Sequence, residues 1–355
     1  MMITDVQFKM ASFTLIHPIK VAFGEVSDFQ TILLKMETDE GICGYGEASP
    51  FAYVTGDSIE TSLAVGKELR QLLIGKNPIE IERLHELMDG LYAHNSAIKA
   101  AFDIAAYDIA AKKAGVPLYQ YLGGYKKTLE LDSTIGIDEP EEMARISREW
   151  VDKGFGILKI KLGENPARDV LRMAAIRKAV GEQIILRVDA NQGWTVKDAI
   201  STIRALEAYH VELIEQPVAY WDLEGLREVR ENVATPVFAD ESCHDPVDAA
   251  LLAKNRAVDG MNIKLMKCDG LFKAQQINAI AQASGITCMV GCMGESRVGN
   301  LAGMHFAAAH KNVTIADLDT VFGIHCEWMK GGFVGDGHRI ELTDEPGLGV
   351  TIEGF

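Results

Sequence analysis

The 355-residue chain is 48% hydrophobic and 24% charged, with a formal net charge of -16. That charge repels phosphate backbones and anionic lipid, so neither nucleic acid nor a membrane is expected as a partner. No stretch has the roughly 20 apolar residues of a membrane span, and Met1 to Ala11 sets Asp5, Gln7 and Lys9 among apolar residues rather than in a signal-peptide layout, so a cytoplasmic address is expected.

The chain opens with strand patterns. Ile3 to Thr14 and Gln30 to Glu37 are strand candidates, Asp39-Glu40-Gly41 is a hairpin turn, and Ile42 to Glu47 returns. Helical pattern follows over Ser58 to Leu73 and Ile79 to Leu91. A long Ala-rich helix then runs from Ser96 to Ala114 and stops at Gly115 and Pro117. Residues 1–125 therefore form an α+β domain.

From Leu129 the pattern becomes short β-rich runs alternating with helices, the mark of βα units and a parallel sheet. The strand candidates are Leu129 to Gly136, Gly156 to Lys161, Ile184 to Asp189, Val211 to Glu215, Val237 to Asp240, Gly260 to Lys264, Thr287 to Gly291 and Thr314 to Asp317. Helical stretches between them include Glu139 to Lys153, Pro166 to Val180, Val196 to Tyr209 and Leu271 to Ser284. Eight such strands are the count of a closed (β/α)8 barrel. The expected fold class is α/β: a (β/α)8-like barrel over 126–320 carrying the active site, under an α+β cap. Residues 321–355 are expected to return to the cap. The six cysteines are scattered without a CxxC pair, so they read as reduced, mostly buried residues. Cys288 and Cys292 lack the further Cys or His partners of a zinc site.

The strand ends carry the chemistry. Lys159-Ile160-Lys161 closes the second strand, and Asp189, Glu215, Asp240 and Lys264 follow at steps of 28, 26, 25 and 24 residues, each one βα unit. The C-terminal ends of barrel strands share one face, where sites are built. Three carboxylates from adjacent strands would repel unless a hard cation sat among them, and oxygen-only ligands select Mg²⁺. The second and sixth strands stand opposite each other in an eight-strand ring, so the lysines flank the carboxylates from two sides. Lys159 and Lys161 alternate by two and both point inward. A cationic neighbour and partial burial lower a lysine's pKa, which would let Lys161 act as a base. Solvated charge on a barrel rim accounts for one such residue, not for five on five consecutive strands. Lys267 reads as a solvated loop residue. Glu241 and Glu295 read as local hydrogen-bond acceptors, with an outer role at a metal as the alternative.

These residues resemble the enolase superfamily and, within it, the muconate-lactonizing subgroup. The likeness covers the whole chain. It rests on Lys159-x-Lys161, on Asp189, Glu215 and Asp240, and on Lys264. Gly44-Tyr45-Gly46-Glu47 and the run from Ala97 to Gly124 resemble the family's capping domain. The resemblance implies one Mg²⁺ per subunit and lysine bases acting beside a carboxylate that becomes an ene-diolate. Asp317-Leu318-Asp319 resembles the Asp-x-Asp motif with which dipeptide epimerases hold the substrate ammonium, and paired carboxylates suit that group. Thr134 and Cys292 match positions that contact the substrate backbone there. A dipeptide is thus the expected small-molecule partner, 1,1-proton transfer the expected reaction, and a homo-oligomer the expected assembly. The alternatives are an o-succinylbenzoate synthase, an N-acylamino acid racemase or a cycloisomerase on the same scaffold, and a metal-dependent aldolase or lyase on a generic barrel. In epimerases acting on Ala-Glu, a basic residue of the first capping loop pairs with the acidic side chain. Gly24 stands at that position here, and neither Ile19 to Val26 nor Ser49 to Gly56 supplies a substitute beyond Lys20. A hydrophobic or aromatic C-terminal residue is therefore expected in the substrate.

Overall fold

The computed structural model describes residues 1–335 and 337–355. The chain begins with an antiparallel meander of β1 (Ile3–Val21), β2 (Gly24–Thr38) and β3 (Cys43–Ala48). Along β1 the side chains alternate, so Ala11, Phe13 and Leu15 are buried while Ser12 and Thr14 are exposed. This strand runs past the expected end at Thr14. A register shift between Thr14 and Ile19 absorbs His17 and Pro18, after which pairing with β2 resumes at Val26.

Helices α1 (Ile59–Leu73), α2 (Ile81–Leu91) and α3 (Ser96–Ala114) follow, then the short α4 (Leu118–Leu122). Ser58 and Thr61 form a reciprocal capping box on α1. The Ala-rich α3 is buried from Ala97 through Ala111, and its small side chains let β3 lie directly on it. Gly44 and Gly46 complete that contact: a Cβ on Gly46 would stand 1.9 Å from the Ala101 carbonyl oxygen, and one on Gly44 2.1 Å from that of Ala105.

The barrel sheet contains eight parallel strands. After β4 (Thr128–Glu130), β5 (Ser133–Ile135) leads through α5 (Pro140–Asp152), β6 (Ile157–Lys161), α6 (Pro166–Val180), β7 (Ile185–Asp189), α7 (Val196–Leu206), β8 (Val211–Glu215), α8 (Leu223–Asn232), β9 (Val237–Ala239) and α9 (Pro246–Asn255). It continues through β10 (Gly260–Lys264), α10 (Leu271–Ala283), β11 (Thr287–Gly291), α11 (Arg297–Ala309) and β12 (Val313–Asp317). The strands lie in sequence order from β5 to β12, and a bridge between Leu131 and Ala316 spans the seam of the ring. Seven helices connect the eight strands.

Among the barrel strands, the first is divided in two. Leu129 to Gly136 divides into β4 and β5, because β4 turns away to pair with β15 (Arg339–Leu342), which pairs in turn with β14 (Phe333–Val334). Farther on, β13 (Met329–Gly331) pairs with β16 (Val350–Ile352), and Leu15 of β1 bridges Ile324. The cap is also pinned to the barrel by Glu47. This buried β3 carboxylate accepts from Ser296 N at 2.8 Å, Ser296 Oγ at 2.6 Å and Gly299 N at 2.8 Å, taking up free donors at the start of α11. No helix among the described residues is long and apolar enough to cross a membrane.

Candidate active site

Strand alternation turns Lys159 and Lys161 of β6, Asp189 of β7, Glu215 of β8 and Lys264 of β10 into the same end of the barrel, and Asp240 follows β9 directly. Asp189, Glu215 and Asp240 are buried, and each offers an oxygen within 4.8 Å of the others. Three strands, β7 to β9, separate β6 from β10 in the sheet order, so the lysines approach the carboxylates from two sides.

Each carboxylate has a lysine. Lys161 Nζ is 2.6 Å from Asp189 Oδ2, and Lys264 Nζ is 2.7 Å from Asp240 Oδ2. Lys159 Nζ lies 2.6 Å from Asp317 Oδ2, 2.7 Å from Glu215 Oε2 and 3.3 Å from Asp189 Oδ2. The Glu215 contact is off the hydrogen-bonding direction, and Oε2 accepts no hydrogen bond. Its other oxygen accepts from Asn262 Nδ2 at 2.6 Å. An all-carboxylate set with one buried oxygen left open fits a hard divalent cation.

The charges are strongly coupled. Burial opposes a charged Lys159, but Asp317, Glu215 and Asp189 outweigh it and hold its pKa well above the ordinary lysine value. Lys264 moves the same way: burial opposes its charge, and Asp240 overcomes it. Burial and the neighbouring Asp189 push Glu215 up to about 7. Burial likewise works against Asp240 and Asp189, yet Lys264 and Lys267 hold Asp240 well below the usual carboxylate range, and Lys161 and Lys159 lower Asp189. Lysines and carboxylates here are mutual counterions, and Asp240 favours the charged form of Lys264.

A cavity of about 870 Å³ opens over these groups. Thr134, Lys159, Lys161, Asp240, Lys264, Cys292, Asp317 and Asp319 line it, with Asp189 and Glu215 lying behind the lysines that contact them. Asp317 ends β12, and Asp319 accepts from the Thr134 backbone N at 2.6 Å across the barrel seam. Burial and the adjacent Asp317 raise the Asp319 pKa, whereas Lys159 overcomes burial and lowers that of Asp317. Burial, followed by Glu295, pushes the Cys292 thiol well above its ordinary value, so it is no thiolate nucleophile. The cap closes the other side with Ile19, Val21, Phe23, Val26, Phe51 and Val54, and Phe23 stacks on Tyr53 at 3.9 Å between ring centroids. Gly24 stands between two residues that line the cavity, Phe23 and Glu25, and an added Cβ there would meet nothing within 4 Å. Lys20 points elsewhere and pairs with Glu164 at 2.7 Å.

Lys267 corrects the sequence reading. It is not solvated: its side chain is fully buried, and Nζ lies 2.6 Å from Asp240 Oδ1. A charged residue in a turn reads as exposed until the turn is seen to fold inward. Asn262 was missed as well, although its place two residues before Lys264 on β10 signals the same face. Glu295 accepts from Met293 N, two residues away, at 2.8 Å, whereas Glu241 accepts from Asn191 Nδ2, 50 residues away, at 3.3 Å and keeps its other oxygen unpartnered.

Residues 4–123 match the family model described as "Mandelate racemase / muconate lactonizing enzyme, N-terminal domain", and residues 142–354 match that described as "Enolase C-terminal domain-like". A hydrophobic dipeptide epimerase of Enterococcus faecalis is 45% identical over 353 residues, which cover 99% of this chain and 100% of the relative. An L-Ala-D/L-Glu epimerase of Clostridium acetobutylicum is 42% identical over 353 residues, 99% of each chain. A crystal structure of a dipeptide epimerase from Enterococcus faecalis, complexed with Mg and the dipeptide L-Leu-L-Tyr, is similar with a TM-score of 0.97 at 45% identity, covering 99% of this chain and 100% of that one. Two lysines facing each other across three strand-end carboxylates, beneath a cap matched along its length, place the chain in the enolase superfamily, to which it belongs through its mandelate racemase and muconate lactonizing enzyme branch.

Proposed function

We propose that this chain is a magnesium-dependent dipeptide epimerase that inverts the α-carbon of the C-terminal residue by 1,1-proton transfer. The observation that carries the reading is one cavity holding opposed Lys161 and Lys264, the carboxylates between them, and Asp317 and Asp319 at its edge. Asp189, Glu215 and Asp240 hold the Mg²⁺, which when bound supplies a Lewis acid for the substrate carboxylate as its charge grows. Lys161 and Lys264 stand on opposite faces of the α-carbon. One removes the proton while the other, as its ammonium, returns one to the far face. Lys159 stays protonated, held by three carboxylates, and lends positive charge to the enolate. Asp317 and Asp319 receive the N-terminal ammonium, with Thr134 and Cys292 beside the peptide backbone. An N-acylated amino acid has no ammonium to offer this acidic pair, which favours the dipeptide reading over an N-acylamino acid racemase.

The test is proton exchange in D₂O, with the L,L and L,D epimers supplied separately. Lys161→Ala and Lys264→Ala should each abolish exchange of one epimer preferentially, in opposite senses. Exhaustive EDTA treatment should silence the wild type, and Mg²⁺ should restore it. Equal losses with both epimers in both variants, or full activity after EDTA, would overturn the reading.

A further inference from the structure

Asp240 is gripped on both oxygens by lysines of the same short segment. Lys264, at the end of β10, meets Oδ2 at 2.7 Å, while Lys267, three residues later, meets Oδ1 at 2.6 Å. Their surroundings differ. Lys264 faces the reaction cavity, whereas Lys267 lines a second cavity of about 730 Å³ between the cap loop around Tyr53 and the barrel loops around Tyr220 and His244. Lys267 Nζ also donates to the backbone carbonyls of Asp240 and of Asn262, the latter at 3.0 Å. Asn262 in turn holds Glu215. All three acceptors of this buried ammonium therefore lie on Asp240 or on the residue that orients Glu215.

Burying an ammonium is costly, and an apolar residue would fill the space at lower cost. What the ammonium adds is a fixed partner for Asp240. If Lys264 were the only cation on that carboxylate, the base and the carboxylate would remain locked together. With Oδ1 held from behind, Asp240 keeps its orientation and a countercharge when Lys264 turns to the substrate. We propose that Lys267 is a positioning residue of the reaction, acting through Asp240: it fixes that carboxylate for the divalent cation and frees Lys264 for proton transfer. The proposal rests on the reading of Asp240 as a metal ligand.

The experiment measures Mn²⁺ binding to the full-length protein by electron paramagnetic resonance, apart from any turnover. Wild type is compared with Lys267→Gln and Lys267→Ala, each checked for native near-ultraviolet dichroism. Losing a group that orients a metal ligand costs roughly 10–100-fold in metal affinity, and both variants should show a loss of that order. Propylammonium, small against a cavity of about 730 Å³, should return affinity to Lys267→Ala and leave wild type unchanged. The inference is overturned if the variants bind Mn²⁺ as tightly as wild type. It is also overturned if their loss comes with an altered dichroism spectrum and no response to propylammonium, which would make Lys267 a packing residue. A wild type that binds no Mn²⁺ would instead sink the metal reading, and this inference with it.

Discussion

The cap side of the reaction cavity decides which side chain the substrate can carry. Ile19, Val21, Phe23, Val26, Phe51 and Val54 form that wall, and the ionisable groups among them are the acidic Glu25 and Asp28. Enclosing a Phe or Leu side chain there contributes about 1.5–3 kcal/mol. An acidic side chain would shed water with no cation to meet it, at about 1–3 kcal/mol by mutational measure. The lower ends together give about 2.5 kcal/mol, or roughly 60-fold in kcat/KM, at about 1.4 kcal/mol per factor of ten. The assay follows epimerisation of L-Ala-L-Phe and L-Ala-L-Glu by mass spectrometry in D₂O, with kcat/KM taken for each. Val26→Arg, which sets a guanidinium on the same wall, should move the ratio toward the acidic dipeptide. A wild type that prefers L-Ala-L-Glu would refute the argument, and an unmoved ratio in Val26→Arg would show that this wall does not touch the side chain.

Other expectations follow from the packing and charge already described. Asp319→Asn should raise KM for a dipeptide by about tenfold, the loss of a charge-assisted bond to an ammonium, and an unchanged KM would remove Asp319 from substrate binding. Gly46→Ala drives a Cβ into the Ala101 carbonyl, so urea unfolding should show a loss on the order of 2–3 kcal/mol, and wild-type stability would contradict that contact. His305 accepts from Tyr119 N on Nδ1 at 3.0 Å, so its proton sits on Nε2 facing Leu348 O, and burial pushes its pKa from 6.5 down to about 4. The unfolded chain therefore takes up that proton first. The contribution is whole above pH 6.5 and is lost as pH falls toward 4, amounting to about 3 kcal/mol. Denaturation across this window should be steeper in pH for wild type than for His305→Gln, and parallel slopes would count against it.

Much of the site could be read from the sequence because barrel strands end at regular intervals on one face. Lys159, Lys161, Asp189, Glu215, Asp240 and Lys264 each close an apolar run, and fold and spacing together fix where they meet. What was not legible depends on contacts distant along the chain. β4 separates from β5 because β15, some 200 residues later, supplies its partner. The register shift near Pro18 lets β1 run on where the pattern seemed to stop. Lys267 was misread because the turn after β10 folds under Asp240, and charge in a turn is the commonest sign of a solvated surface. Gly24 was singled out through the family resemblance rather than by any pattern in this chain, and its neighbours Phe23 and Glu25 line the cavity.

Glu47 has a bearing on how the molecule comes apart. Its carboxylate belongs to the cap, yet the donors that satisfy it belong to α11 of the barrel. Separation of the two parts would strip this carboxylate of all three of its hydrogen bonds and leave the first amides of α11 without a partner in the protein. Neither part can therefore shed the other without cost, and heating should melt both in one calorimetric transition. A barrel expressed without residues 1–125 would lack the group that caps α11, making the cap a folding partner as well as a cover for the cavity.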